Sequence, residues 1–154
     1  MVEIDTRVFG KIAVEDDKII RFDKGILGFP DLKDFTLIFD IDKGIESGIK
    51  WLQSIQEPGF AMPVMNPELV MAGYKPEFDI ELLKPLGNNL DSENILMLVT
   101  VTVPKDITKM TVNLKAPIII SADNCKAVQL ISDNEAYSVR YPIYDKLAEE
   151  KGNN

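Results

Sequence analysis

The 154-residue sequence contains no histidine and a single cysteine, Cys125. Without an imidazole, neither a Ser-His-Asp triad nor a Cys-His pair can form, and histidine-ligated zinc or iron is excluded for the same reason. One cysteine cannot form an internal disulfide, and this agrees with a reducing compartment. Because Cys125 lies near the start of a predicted strand, we interpret it as a small buried or half-buried side chain and not as a nucleophile.

Long apolar runs are also missing. The longest, at 95–103, is interrupted by Thr100 and Thr102 and is far shorter than the roughly 20 residues that a membrane-spanning helix needs. The N-terminal residues have no basic segment followed by an apolar one, so no secretory signal is predicted. We therefore expect a cytoplasmic protein that does not contact a membrane.

Positive charge is scarce as well, since 17 Lys and Arg stand against 25 Asp and Glu, for a net charge of −8. This balance repels the phosphate backbone of nucleic acid, so direct RNA or DNA binding is not expected. The imbalance is steepest within 51–104, where seven acidic residues face two basic ones. A basic protein partner is one interpretation, and a charge that serves only solubility is the other.

The residues that remain for catalysis or metal binding do not form a recognisable site. Asp16-Asp17 lies where a hairpin turn is predicted, with diverging side chains, and the segment 40–44 departs from the calcium-binding EF-hand loop in its glycine position and lacks the closing glutamate. Gly25 and Gly28 have Gly-x-x-Gly spacing without the residues of a phosphate-binding loop. We therefore predict no enzymatic activity and no cofactor.

Short β-rich runs separated by turn-forming residues dominate the chain. They predict a mainly β, single-domain, antiparallel β-barrel-like fold with short helical turns, because the long helices of parallel crossovers are missing. The predicted strands are 2–6, 12–14, 18–22, 35–41, 49–53, 60–64, 95–103, 117–121, 127–131 and 137–140, with a helical turn at 82–86. We place the domain at 1–145 and a C-terminal tail at 146–154, either disordered or a frayed helix over 145–151.

The segment 77–82 alternates carboxylates with apolar residues. A strand here would place Phe78, Ile80 and Leu82 on one face and Glu77, Asp79 and Glu81 on the other. The row of three carboxylates is either a solvated or edge-strand surface or a docking surface for a basic protein.

Hydrophobic residues are concentrated in the predicted loop at 26–30, which contains Ile26, Leu27 and Phe29. Ile26 and Phe29 can close the end of a barrel, or the loop can contact a partner. Met62 and Met65 lie near Pro63 and Pro67, and flexible thioethers of this kind fill irregular gaps or line a binding groove.

Six motifs in order identify a family resemblance. They are Lys-Gly-Ile-Leu-Gly-Phe at 24–29, Trp-Leu-Gln-Ser at 51–54 followed by Pro-Gly-Phe-Ala at 58–61, Asn-Pro at 66–67, Thr-Val-Asn-Leu-Lys-Ala-Pro-Ile at 111–118, Gln-Leu-Ile at 129–131, and Tyr-x-x-Arg at 137–140. Together they cover roughly residues 4 to 143 and resemble the flagellar assembly factor FliW.

The resemblance implies a small β-barrel-like binding protein. FliW proteins bind the translational regulator CsrA, antagonise it without occupying its RNA-binding site, and also bind flagellin. From their charge and expected exposure, we expect Glu77, Asp79 and Glu81 to contact CsrA, with Glu57, Glu68, Asp91 and Glu93 as the alternative. We expect flagellin to contact Ile26, Leu27, Phe29, Met62 and Met65. The competing hypothesis is a chaperone-like β-barrel that binds only a secretion substrate.

Overall fold

A computed structural model describes residues 1–39, 49–91 and 93–145. These ranges contain eleven strands and four short 3-10 helices. The strands are β1 (Val2–Thr6), β2 (Gly10–Val14), β3 (Ile20–Phe22), β4 (Asp34–Phe39), β5 (Ile49–Ser54), β6 (Ala61–Met65), β7 (Ile95–Thr102), β8 (Thr111–Val112), β9 (Ile118–Ser121), β10 (Lys126–Gln129) and β11 (Tyr141–Pro142), and the 3-10 helices are Asp16–Lys18, Pro67–Leu69, Ile80–Leu86 and Ile107–Lys109.

Seven of the strands close into a barrel. Neighbouring strands pair in the order β7-β6-β5-β4-β3-β10-β9, and β9 pairs with β7 to complete the ring. Strands β8 and β11 extend outward from β7, while β1 and β2 form a separate hairpin. The predicted mainly β, barrel-like fold is confirmed.

The core has two parts because β6 and β7 each contribute to both. Successive residues of a strand point to opposite faces, so Leu98 packs inside the barrel with Phe35, whereas Val99 points outward to pack with Leu114 and Ile143. This second cluster lies between the outer face of the barrel and the strands β8 and β11. Because both faces of β7 are covered, its inward and outward residues are apolar, and this explains why 95–103 is a nearly continuous apolar run.

Several expectations need correction. The strands β3 and β10 run parallel, so the barrel is not antiparallel throughout. The strand predicted at 137–140 is wrong, because this backbone serves loop contacts: the carbonyl of Ser138 accepts a hydrogen bond from the amide of Leu114. The strands β8 and β11 were not predicted. Each has only two residues, which is too short to show the alternation that identifies a strand.

The helical turn expected at 82–86 is confirmed within the 3-10 helix Ile80–Leu86. Strand β4 is described as far as Phe39. The end of the strand predicted at 35–41, the carboxylate pattern at 40–44 and the tail at 146–154 lie outside the described residues. Within the described ranges, no helix has the length and apolar character needed to cross a membrane.

Candidate partner-binding surfaces

The loop at 24–30 is built around two glycines. Ile26 and Phe29 exchange backbone hydrogen bonds of 3.3 and 2.9 Å, and Gly28 between them has φ +87°, as the third residue of a type II turn requires. At Gly25, φ is +70° and a Cβ atom would lie 2.4 Å from the Pro30 carbonyl oxygen. The loop therefore depends on glycine for its shape.

This turn separates its hydrophobic residues into inner and outer ones. Ile26 is buried in the barrel core, whereas Leu27 and Phe29 are exposed. Met65 is also fully buried, because its position on β6 directs it into the second core cluster, and Met62 is half-buried against the barrel core. The predicted groove is therefore wrong in Ile26 and Met65, which have almost no surface to offer a partner.

The exposed part of the loop borders a cleft of about 380 Å³. The ring of Phe29 packs against Phe60 with a centroid distance of 4.9 Å, and Asp31 and Glu57 contribute carboxylates to the lining. The amide of Leu27 donates to the Gln129 side chain at 2.9 Å, which fixes the turn at the end of β10. Leu27 and Phe29 are thus exposed apolar side chains on a fixed backbone.

The strand predicted at 77–82 is not formed. The carboxylate of Asp79 accepts a hydrogen bond of 3.0 Å from the amide of Glu81 and caps the 3-10 helix that begins at Ile80. An N-terminal cap of this kind satisfies an otherwise unpaired donor and favours helix over strand. Asp79, with Pro76 before it and Pro85 after it, is the signal in the sequence that could have identified this helix.

The change from strand to helix alters which side chains reach solvent. Glu77, Asp79 and Glu81 are exposed as predicted, but they do not form one strand row. Ile80 and Leu82, which the predicted strand placed on the face opposite the carboxylates, are also exposed, and Phe78 is half-buried. Sequence reasoning therefore missed two apolar residues on this surface.

Hydrogen bonds hold the segment 77–86 along the segment 124–133. At one end, the amide of Asp133 donates to the Glu77 carbonyl at 2.7 Å. At the other end, the Asn124 side chain donates to the Leu86 carbonyl at 2.7 Å. The two segments therefore run antiparallel, and the exposed Ile131 lies opposite the start of the helix. We call the exposed side of these two segments, with residues 134 and 135, the acidic face.

The alternative acidic residues are exposed but divided among three elements. Glu57 borders the Phe29 cleft, Glu68 is in the 3-10 helix Pro67–Leu69, and Asp91 and Glu93 precede β7. They are further acidic positions and are not joined by any described contact.

The motif at 111–118 forms a buried junction. The Asn113 side chain accepts hydrogen bonds from the amides of Lys115 and Ala116 at 3.0 and 3.1 Å. The Tyr74 hydroxyl donates to the carbonyl of the fully buried Leu114 at 2.5 Å. Burial raises the pKa of Tyr74, with a smaller contribution from Tyr137. These residues hold the backbone together and offer little to a partner.

The motif at 51–54 also has an internal role. The Gln53 side chain is fully buried, and its amide nitrogen donates to the carbonyls of Ser54, Pro58 and Phe60 at 3.0, 3.0 and 3.1 Å. It therefore shapes the loop at 57–60 that supports Phe29. Trp51 makes an edge contact with Phe9 of the β1–β2 hairpin at 5.8 Å.

A larger apolar cleft of about 920 Å³ lies between β2 and one end of the barrel. Leu37, Leu96 and other apolar side chains line it, and its rim carries Glu15, Asp17 and Lys18. Because this rim has charges of both signs, its electrostatics select no class of partner. Among the described residues, no three His, Cys, Asp or Glu side chains are grouped closely enough for a metal ion.

Comparisons with known proteins agree with this geometry. A family model described as FliW protein matches residues 3–143. A flagellar assembly factor FliW from Lachnospira eligens is 53% identical over 150 residues, covering 97% of this chain and 99% of that protein. Another, from Lachnoclostridium phytofermentans, is 45% identical over 144 residues, covering 94% and 92%. A crystal structure of the flagellar assembly factor FliW aligns with a TM-score of 0.83 and 26% identity, covering 93% of this chain and 97% of that one.

Proposed function

This chain belongs to the FliW family of flagellar assembly factors, and we propose that it binds two proteins, the translational regulator CsrA and flagellin. Binding to CsrA relieves the repression of translation that CsrA exerts. Flagellin competes for the same factor, so that accumulating flagellin releases CsrA and lowers flagellin synthesis. The observation that carries the proposal is the family match over 3–143.

The acidic face supports the assignment to CsrA. A protein that binds RNA must present cations to the phosphate backbone, and Glu77, Asp79 and Glu81 offer exposed carboxylates to such a surface. The same charges repel RNA. We therefore propose that the acidic face docks beside the RNA site of CsrA and weakens RNA binding allosterically.

The turn at 26–29 supports the assignment to flagellin. Leu27 and Phe29 are exposed beside an open cleft, and exposed aliphatic and aromatic anchors are what an amphipathic helix of a partner contacts. Met62 is half-buried against the barrel core and does not line this cleft. The flagellin site is therefore proposed to centre on Leu27 and Phe29.

A gel-shift titration tests the regulatory mechanism. Labelled RNA bound to CsrA should be released as this protein is added. Under the allosteric mechanism, the RNA concentration that half-saturates CsrA rises to a limit as this protein is added, because the complex keeps a weaker affinity for RNA. A rise without limit would instead establish simple competition for the RNA site.

A chaperone-like β-barrel that binds only a secretion substrate is the second candidate. It is favoured by the Phe29 cleft, which can hold an apolar helix without any role for the acidic face. Size-exclusion chromatography separates the two hypotheses. Co-elution with a purified CsrA dimer supports the regulatory function, whereas co-elution with flagellin alone supports the chaperone.

A further inference from the structure

Three apolar side chains are exposed on the acidic face. Ile80 is 68% exposed, Leu82 46% and Ile131 60%, and the antiparallel alignment of the two segments sets Ile131 opposite the start of the helix. We call these three side chains the apolar centre, and carboxylates precede, separate and follow them along the two segments. Interfaces commonly have this arrangement, with an apolar centre inside a polar rim.

The backbone that presents these side chains is fixed in the free protein. Glu77 is held at both its amide and its carbonyl, by the Asn134 side chain at 2.6 Å and by the Asp133 amide at 2.7 Å. The far end of the helix is held by Asn124 at Leu86. A surface that is ordered before binding loses less conformational entropy when a partner docks.

The carboxylates around the apolar centre outnumber the cations, although the Lys115 ammonium donates to the Asn134 carbonyl at 2.7 Å within this face. Glu81 pairs with Lys84 at 2.5 Å. In the described portion of the chain, Glu77, Asp79, Asp133 and Glu135 have no lysine or arginine nitrogen within 4.0 Å. The rim therefore attracts a cationic surface.

This charge decides between possible occupants. A second copy of this chain would place one acidic rim against another, and like charges across an interface cost several kcal/mol. Nucleic acid is repelled for the same reason. A basic protein that also has apolar residues to cover Ile80 and Ile131 matches both parts of the surface.

We propose that Ile80, Leu82 and Ile131 form the apolar anchor site of the acidic face, and that it takes a segment of CsrA in which apolar side chains are flanked by Lys or Arg. The inference rests on the proposed function, because it assumes that CsrA is a partner. It goes further by assigning different roles to the two kinds of residue. The carboxylates accelerate encounter, and the apolar residues hold the complex.

A double substitution, Ile80→Ser with Ile131→Ser, tests the assignment. The matched control is Val103→Ser with Val139→Ser, at positions that are 50% and 58% exposed and lie outside the acidic face. We expect the test variant to lose on the order of thirtyfold in affinity for purified CsrA, as loss of anchor residues does. The control should stay within about twofold.

Salt dependence distinguishes the apolar anchors from the charges. The thirtyfold loss should be the same at low salt and at about 0.5 M salt, where exposed charges are strongly screened. Thermal unfolding should be unchanged, because neither isoleucine is buried. A Leu82→Ser single variant gives an independent second measurement and should lose affinity in the same salt-independent way.

These experiments distinguish a failure of the anchor site from a failure of the proposed function. If the wild-type protein does not bind CsrA at all, the proposed function fails. If the wild type binds and both serine variants match the control, the anchor site is overturned. It is also overturned if flagellin affinity falls while CsrA affinity is retained, because the surface would then belong to the other partner.

Discussion

The junction at 111–118 and the acidic face both contain many polar groups, but they use those groups in opposite ways. At the junction, the Asn113 side chain and the Leu114 carbonyl are satisfied by partners within the protein. On the acidic face, the carboxylate of Glu77 is exposed to solvent, and that of Asp79 is exposed while it caps the helix. The first region holds the fold together, and the second is available to another molecule.

The difference explains why most of the family motifs do not mark the proposed CsrA surface, with the exposed Ile131 of the motif at 129–131 as the exception. Motif residues such as Gly25, Asn113 and Gln53 are required by backbone geometry or by buried hydrogen bonds. Exposed side chains of the acidic face that make no bond to the described part of the backbone, such as Glu77 and Ile131, can change without disturbing the fold. We therefore expect substitutions of the buried or glycine motif residues to alter stability and substitutions of these exposed residues to alter binding.

The largest effect on stability is expected for Gly25→Ala, with Gly28→Ala as its matched control. Both glycines have positive φ, but only at Gly25 would the new Cβ collide with backbone, at 2.4 Å from the Pro30 carbonyl oxygen. Gly28→Ala should lower the free energy of unfolding by about 1 to 2 kcal/mol, which is the cost of holding a residue with a Cβ atom in the left-handed region. Gly25→Ala should cost about 3 kcal/mol or more.

Urea unfolding of the two glycine variants provides the measurement. Equal losses in the free energy of unfolding would mean that the backbone at Pro30 moves away easily. The loop at 24–30 would then be a soft segment, and its motif would need an explanation other than geometry.

A smaller effect, on binding and not on folding, is expected for Phe29→Ala. The exposed Phe29 ring packs on Phe60, and removal of an exposed anchor should lower flagellin affinity about five- to thirtyfold, or by 1 to 2 kcal/mol. Calorimetry with flagellin and CsrA on the same variant checks the selectivity. Parallel loss of both partners together with a lower melting temperature would make Phe29 part of the barrel core.

Tyr74→Phe should have a modest effect that depends on pH. Removing the hydrogen bond to Leu114 should cost about 0.5 to 1.5 kcal/mol at neutral pH. Burial raises the pKa of Tyr74, so the folded state resists ionisation of the phenol. The stability due to this group is therefore fully present below its unfolded pKa of about 10 and declines as the pH rises above that value.

Urea midpoints measured between about pH 8 and pH 11 separate this tyrosine from other titrating groups. The wild type should lose stability above about pH 10 more steeply than Tyr74→Phe. Parallel curves for the two proteins would show that the Tyr74 hydroxyl is not held at the junction.

Sequence patterns predicted much of the fold because most strands alternate or form continuous apolar runs. They failed where tertiary contacts determine structure. The parallel pairing of β3 with β10 involves two residues of each strand, and the backbone at Ser138 bonds to Leu114 instead of to a neighbouring strand. Neither feature has a periodic signal in the sequence.

The candidate surfaces were predicted in part. Exposure of Glu77, Asp79 and Glu81 follows from their charge, but their strand geometry was wrong because alternation outweighed the capping role of Asp79. Ile26 and Leu27 are adjacent hydrophobic residues in one turn, and only the turn geometry separates the buried one from the exposed one. Met65 is buried because β6 has a core on both faces.

A small effect on folding and the largest effect on association should come from Glu77→Lys, Asp79→Lys and Glu81→Lys combined. Loss of the Asp79 cap should lower the free energy of unfolding by about 0.5 to 2 kcal/mol, and the exposed Glu77 should contribute little to this change. Circular dichroism provides the folding control. The rate of association with CsrA should fall, because complementary charge raises it from about 10⁵ to 10⁶ M⁻¹s⁻¹ toward 10⁸ M⁻¹s⁻¹ or more at low salt.

Stopped-flow measurement of this triple variant with CsrA at low and high salt tests most directly whether the acidic face is the CsrA surface. We expect the low-salt association rate to fall by at least about tenfold and the wild-type and variant rates to converge at high salt. An unchanged low-salt rate in a folded variant would contradict the account and place the CsrA surface elsewhere, with Glu57, Glu68, Asp91 and Glu93 as the next residues to test.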